Sequence, residues 1–201
     1  MKYRHPVGII TKNATILRDL DILKELQANN LVGVNVSVTS LSEKTRRILE
    51  PRTASISKRL KTIETLSKHQ IPVNAMLAPI IPGINSHELL NLAKATSAHG
   101  AVSFGFTVVR LNGAIGQIFK DWIEKALPSK AEKVLHLIQQ CHGGSINNSE
   151  FGVRNRGQGQ VAQQIHDMAR LAKHKYFKGK QFPSLNKELH AIYKDGQTRL
   201  F

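Results

Sequence analysis

Cysteine is almost missing from this chain: Cys141 stands alone in 201 residues. One thiol excludes an internal disulfide, and it excludes a zinc or iron–sulfur site held by several thiolates of this chain. Acidic residues are scarce, with 14 Asp and Glu against 29 Lys and Arg, so the formal net charge is +15. Aromatic residues make up only 5% of the sequence. No apolar run approaches the ~20 residues of a membrane span, so no membrane partner is expected. The opening MKYRHPVGIITKN has no hydrophobic core followed by a small-residue cleavage site. No secretory signal is therefore read there, and the expected compartment is the cytoplasm.

What is present suits a folded domain. A hydrophobic content of 41% in a chain of this length is incompatible with wholesale disorder. The basic excess asks for an acidic partner, and nucleic acid leads because phosphates attract Lys and Arg at long range. The plainer alternative is a basic protein whose charges are solvated. The densest basic stretch, RLAKHKYFKGK (170–180), holds Tyr176 and Phe177. These rings can stack on bases or simply anchor a helix end.

Strand and helix patterns alternate. VGIIT (7–11) reads as a short buried strand. A helix follows with Ile16, Leu20, Leu23 and Gln27 at helical spacing, closed by Asn29-Asn30. VGVNVSVT (32–39) alternates strictly, which puts Val32, Val34, Val36 and Val38 on one side and Gly33, Asn35, Ser37 and Thr39 on the other. Residues 40–54 read as a loop. A second helix follows with Ile56, Leu60, Ile63 and Leu66 on one face. PVNAMLAP (72–79) is the third strand. A third helix carries Leu89, Leu90 and Ala93, with Ser86 as its expected cap and Gly100 as its stop. VSFGFTVVR (102–110) is the fourth strand. No internal repeat is seen beyond this alternation.

Helices of this length between strands imply right-handed crossovers and a parallel sheet. The polar side of the second strand is informative. It suits a curved sheet or partial barrel whose valines pack under helices while Asn35, Ser37 and Thr39 face a lumen. The expected organisation is an α/β partial barrel of about four parallel strands over 1–112. A helical part follows over 113–177, with Ile115, Ile118, Phe119, Trp122 and Ile123 on one helix and Val134, Leu137, Ile138 and Cys141 on the next. Residues 178–201 read as a loosely held basic tail.

Ligands of parallel α/β folds sit at the C-terminal ends of the strands. That singles out Thr11-Lys12-Asn13, Ser37 to Thr39, Ala78-Pro79 and Arg110. Lys12 directly follows a strand and can pair with a carboxylate or phosphate; the alternative is a solvated loop lysine. Arg52, in Glu50-Pro51-Arg52, can bind an anion or merely shape its loop. Cys141 lies on an apolar helical stripe and reads as a core thiol. The nine histidines show no metal-ligand spacing. There is no nucleophile elbow and no phosphate-binding glycine loop.

Several segments carry a resemblance. HPVGIITKN (5–13), LRDLDIL (17–23), SVTSL (37–41), ILEPRTAS (48–55), RLKTIETL (59–66), APIIPGIN (78–85) and VVRL (108–111) follow one another as in the radical S-adenosylmethionine superfamily. The branch they resemble is the one similar to spore photoproduct lyase, of the DNA-repair type. FGVRNRGQG (151–159) and GQTRLF (196–201) are similar to that branch as well. The resemblance implies a partial barrel of six βα units. It also implies a [4Fe-4S] cluster on a CxxxCxxC loop after the first strand, with S-adenosylmethionine chelating the open iron and giving a 5′-deoxyadenosyl radical. By the same resemblance Lys12 would contact the S-adenosylmethionine carboxylate and Ser37 its carboxylate or ribose, with Thr39 beside them.

The departures from that pattern are as informative. The first two strands and the cluster cysteines of the family are not found in this sequence, and Cys141 cannot replace them. The sequence therefore looks like the barrel from its third strand onward, either shortened or split from a separate N-terminal half. It would bind S-adenosylmethionine but not ligate the cluster itself. An unpaired sheet edge is expected near residues 7–11. The alternative is a non-catalytic basic module that binds nucleic acid. Last, Gln197, Leu200 and Phe201 resemble the short peptides that dock on a bacterial sliding clamp, although Thr198 stands where leucine is usual.

Overall fold

The structure, a computed structural model, describes residues 3–147 and 156–192. Four strands, β1 (Val7–Thr11), β2 (Val32–Ser37), β3 (Val73–Met76) and β4 (Ser103–Gly105), form one sheet in the order β1-β2-β3-β4. Every pairing is parallel. The connections are α1 (Leu20–Gln27), then α2 (Glu43–Leu49) with α3 (Ile56–Lys68), then α4 (Leu89–Ala98). Single 3₁₀ segments, Ala14–Asp19 and Ser86–Glu88, lead into α1 and α4. Three longer helices follow among the described residues, α5 (Ala114–Ala126), α6 (Pro128–Gln140) and α7 (Gly159–Tyr176), and residues 188–192 are helical as well. This is the partial α/β barrel that the alternation predicts, and its sheet does not close.

The two sides of β2 do different work. Val32, Val34, Val36 and Val38 are fully buried in one cluster with Leu23, Ile63, Leu66 and Leu92 of the covering helices. On the other side, Asn35, Asn74 and Ser103 stand in register on three neighbouring strands. They form a hydrogen-bonded row: Asn74 Nδ2 donates to Asn35 Oδ1 at 2.8 Å, and Ser103 Oγ donates to Asn74 Oδ1 at 2.6 Å. Polar side chains on the inner face thus satisfy one another. A second cluster joins Ile81, Ile84, Val109 and Leu111 to Ile123, Val134 and Ile138 of α5 and α6.

Three local features differ from the sequence reading. Residues 40–54 contain α2, capped by the Ser42 side chain, which accepts from Thr45 N. A seven-residue helix shows too little periodicity to be read from sequence, and this one depends on tertiary contacts described below. β4 is shorter than 102–110; beyond Gly105 a single bridge, Ile80 to Val108, continues the pairing. Ser86 does not cap α4: its hydroxyl accepts from Gly83 N, and Asn85 precedes the 3₁₀ turn.

Gly100, with φ +100°, ends α4 as expected, in a conformation that side chains rarely adopt. After α7 the chain lies against the barrel through its described part. Asn186 N donates to Asn30 O at 2.8 Å and Asn30 Nδ2 donates to Ser184 O at 2.9 Å. Phe182 sits over Gly33, where an added Cβ would come within 2.5 Å of its ring. At the edge of the sheet β1 has one neighbour among the described residues, and Val7 and Ile10 are exposed, the latter by 65%, so β1 is not the buried strand that VGIIT suggests: an edge strand lacks the second neighbour that would cover it.

Candidate functional site

The loops at the C-terminal ends of the four strands converge on a cleft of about 410 Å³. Each strand contributes: Lys12 after β1, Thr39 after β2, Pro79 after β3, and Val109 and Arg110 after β4. Leu49 and Glu50 enter from the end of α2. Ile115, Ile118, Phe119 and Trp122 of α5 form an apolar wall. The Phe119 and Trp122 rings lie 5.2 Å apart.

Glu50 is the hub of the floor. Its carboxylate accepts from Lys12 Nζ at 2.5 Å, from Thr39 Oγ1 at 3.1 Å and from Arg59 Nη2 at 2.8 Å. Burial pushes the Glu50 carboxyl up, but the hydrogen bonds and charges of Lys12 and Arg59 outweigh it and hold the group below its ordinary value. Arg59 is itself only 1% exposed. A buried guanidinium is tolerated when each donor is satisfied. Here Nε donates to Ala54 O at 3.0 Å, Nη1 to Ser37 O at 3.0 Å, and Nη2 to Thr53 Oγ1 as well as to Glu50. One arginine therefore joins the end of β2, the 50–54 loop and α3.

Two more buried polar groups brace the same loops. Asn85 Nδ2 donates to Thr39 O at 2.8 Å and Pro79 O at 3.0 Å, while Ile81 N donates back to its Oδ1 at 2.6 Å. Glu88 accepts from Ser40 Oγ at 2.9 Å and from Leu41 N. Arg46, also buried, donates to Thr53 O at 3.0 Å and to Glu43 Oε2 at 2.6 Å, which holds α2 against the loop.

Of the residues singled out from the sequence, Lys12, Thr39, Pro79 and Arg110 share this cleft. Ser37 lies beneath it, buried, with its carbonyl bonded to Arg59. Arg52 is exposed, two positions beyond Glu50, and is not among the cleft-lining residues. Gln197, Leu200 and Phe201, and all but the last four residues of the 151–159 segment, lie outside the described residues. Glu50 and Arg59 were not predicted as functional. Arg59 carried a readable signal: it falls on the apolar stripe of Ile56, Ile63 and Leu66, where a charged residue must find a buried partner. The apolar wall of α5 was legible as a stripe but not as a cleft wall.

Residues 2–96 match the model of the Radical SAM superfamily. The match covers just under half of the chain, so the N-terminal part of this chain is similar to the radical SAM superfamily. Two relatives are 26% identical: the uncharacterized protein Rv2578c of Mycobacterium tuberculosis over 140 residues, and the uncharacterized protein MJ0683 of Methanocaldococcus jannaschii over 129 residues. The matches cover 67% and 64% of this chain but 40% and 47% of the relatives, so the chain spans less than half their length. Among solved structures, spore photoproduct lyase complexed with dinucleoside spore photoproduct superposes with a TM-score of 0.60 at 17% identity, covering 87% of this chain and 49% of that one. A variant of that lyase with bound AdoMet and dinucleoside spore photoproduct gives 0.59 at 16% over the same shares. These likenesses show the fold.

Radical SAM proteins use S-adenosylmethionine with an iron–sulfur cluster, and the residues of this chain fit the two groups differently. A cleft of about 410 Å³ lined by Lys12, Thr39 and Arg110 has cationic and hydroxyl groups that fit the carboxylate of S-adenosylmethionine, a ligand that is itself cationic overall. The cluster finds no such fit. Cys141 is buried at the end of α6, and burial pushes its thiol up to about 11, so it stays protonated at neutral pH. Among the described residues no group of His, Cys, Asp or Glu side chains is arranged to hold a metal ion. Also among them, no helix is long and apolar enough to cross a membrane.

Proposed function

We propose that this chain supplies the S-adenosylmethionine side of a radical SAM reaction centre directed at nucleic acid, and that the cluster thiolates come from another segment or a partner polypeptide. The observation that carries the reading is the convergence of Lys12, Thr39 and Arg110 at the C-terminal mouth of a parallel sheet in a chain whose residues 2–96 match the Radical SAM superfamily model. S-adenosylmethionine, if held there, would supply the superfamily's radical chemistry. The residues here bind and orient: Lys12 pairs with the ligand carboxylate, Thr39 hydrogen-bonds beside it, and Glu50 with Arg59 keeps the Lys12 ammonium at the floor. The open edge at β1 is where a further strand would pair. The excess of 15 positive charges supports a nucleic-acid substrate.

Trp122 is the sole tryptophan of the sequence and lines the cleft, so its fluorescence reports occupancy. Titration of the chain with S-adenosylmethionine should change that signal. Lys12→Ala should weaken the ligand at least several-fold, the loss of one charge-assisted hydrogen bond. Unaltered affinity in the variant would remove Lys12 from the site. Reconstitution with iron and sulfide should give no stoichiometric cluster on this chain alone; a stoichiometric cluster would overturn the division of labour. The lone buried cysteine also favours a second reading, a non-catalytic nucleic-acid-binding module. Salt-dependent DNA binding without any response to S-adenosylmethionine would select it.

A further inference from the structure

The positive charge of the chain is unevenly placed. α5 balances Lys120 and Lys125 with Asp121 and Glu124. The cations of α3 are largely committed, Arg59 to Glu50 and Lys61 with Lys68 to Glu64. Over α7 and the turn after it, residues 159–180, five Lys and Arg stand against one acid, Asp167. Asp167 pairs with Arg170 at 3.1 Å. Lys180 is tied down as well, since its Nζ donates to Ser97 Oγ at 2.8 Å. Lys173, Lys175 and Lys178 are exposed and have no acidic partner among the described residues. Arg170 and Lys173 lie three apart on the helix, a like-charge spacing that destabilises it. A cation in the last turn complements the helix dipole, but Lys178 stands beyond the end of α7, where that benefit fades.

The rings of this segment face inward. Phe177 is 7% exposed and packs against Phe104 with centroids 5.2 Å apart, and Tyr176 is partly buried against the main core. They anchor the helix end and are not offered to bases. They also carry the cations: Lys173 Nζ lies 5.5 Å from the Phe104 centroid, and Lys175 Nζ 5.6 Å from that of Tyr176. A ring face steadies an ammonium without neutralising its charge. We propose that the C-terminal end of α7 and the turn after it form a docking surface for the sugar–phosphate backbone of a nucleic acid, contacted through Lys173, Lys175 and Lys178. Such contacts position a strand and carry no base information. The inference rests on the nucleic-acid reading above and adds the surface that holds the backbone. It uses none of the residues that line the cleft.

The experiment follows a short labelled duplex binding to the full chain by fluorescence anisotropy over a salt series. It is run as DNA and as RNA of the same sequence, and the tighter duplex identifies the source of the backbone. The triple variant Lys173→Gln, Lys175→Gln, Lys178→Gln should flatten the slope of log affinity against log salt by about three, one for each lysine. Arginine at the same three positions keeps the charge and should keep the wild-type slope. A control that removes three exposed lysines elsewhere, Lys24→Gln, Lys120→Gln and Lys130→Gln, has the same net charge and should leave the slope within about one. Equal flattening in the two glutamine variants overturns the α7 surface and leaves the nucleic-acid reading standing. Flattening in the arginine variant shows that the lysines act through the fold, and overturns it too. Absence of duplex binding by the wild-type chain at ~50 mM salt sinks both readings together. Capture of the chain by phosphatidylserine vesicles in place of the duplex gives the face to a membrane and overturns the proposal.

Discussion

Glu50 and Arg59 illustrate how one ion pair serves both stability and the site. Arg59 is 1% exposed and the Glu50 side chain 9%, so removing Glu50 leaves the buried Arg59 without its counter-charge. Glu50→Ala should therefore destabilise the chain by about 3 kcal/mol, measured by urea unfolding. The pH dependence follows from the depressed carboxyl. Glu50 titrates lower in the folded chain than in the unfolded one, whose carboxyl titrates near ~4.3. Its contribution is thus complete above that value and disappears as pH falls through the folded one. The stability of Glu50→Gln should show a flatter acid limb than wild type; an identical limb would mean that Glu50 does not couple folding to protons here. Lys12 shares the same carboxylate but is 42% exposed, so Lys12→Ala should alter binding far more than stability.

At the scale of elements, β-strand alternation and helical stripes made the four strands and the longer helices legible from sequence, since each long element shows its own period. Elements held by distant partners were not legible. α2 depends on Arg46 and its contacts to Glu43 and Thr53, and no seven-residue window reveals that. The segment after α7 has a polar composition that predicts a loose tail, yet Phe182 seats itself where β2 has no side chain. The pairing signal there is an absent Cβ at Gly33, which looks in the sequence like any glycine in a strand. The seat is testable. Gly33→Ala puts a methyl group into the Phe182 ring and should cost about 1–2 kcal/mol, with faster proteolysis between residues 178 and 192. Phe182→Ala should cost a similar amount. In the double variant the two losses should not add, because both break one contact. Additive losses would show that Phe182 and Gly33 act separately.

For the molecule as a whole, two opposed tendencies set its behaviour in solution. A net charge of +15 repels like copies, whereas the open edge of β1 offers unpaired backbone groups with Ile10 exposed beside them. At ~0.01 M salt repulsion acts over roughly 30 Å, which keeps edges apart; at ~1 M it is confined to about 3 Å, and strand pairing is no longer opposed. The chain alone should thus sediment as a monomer at low ionic strength and associate as salt rises, the reverse of its attraction to nucleic acid, which salt weakens. Ile10→Lys places a charge on the edge without disturbing a buried contact. It should stay monomeric at high salt while retaining salt-sensitive DNA binding. If Ile10→Lys associates as strongly as the wild type, the contact surface is not β1, and the exposed isoleucines of α5 become the next surface to alter.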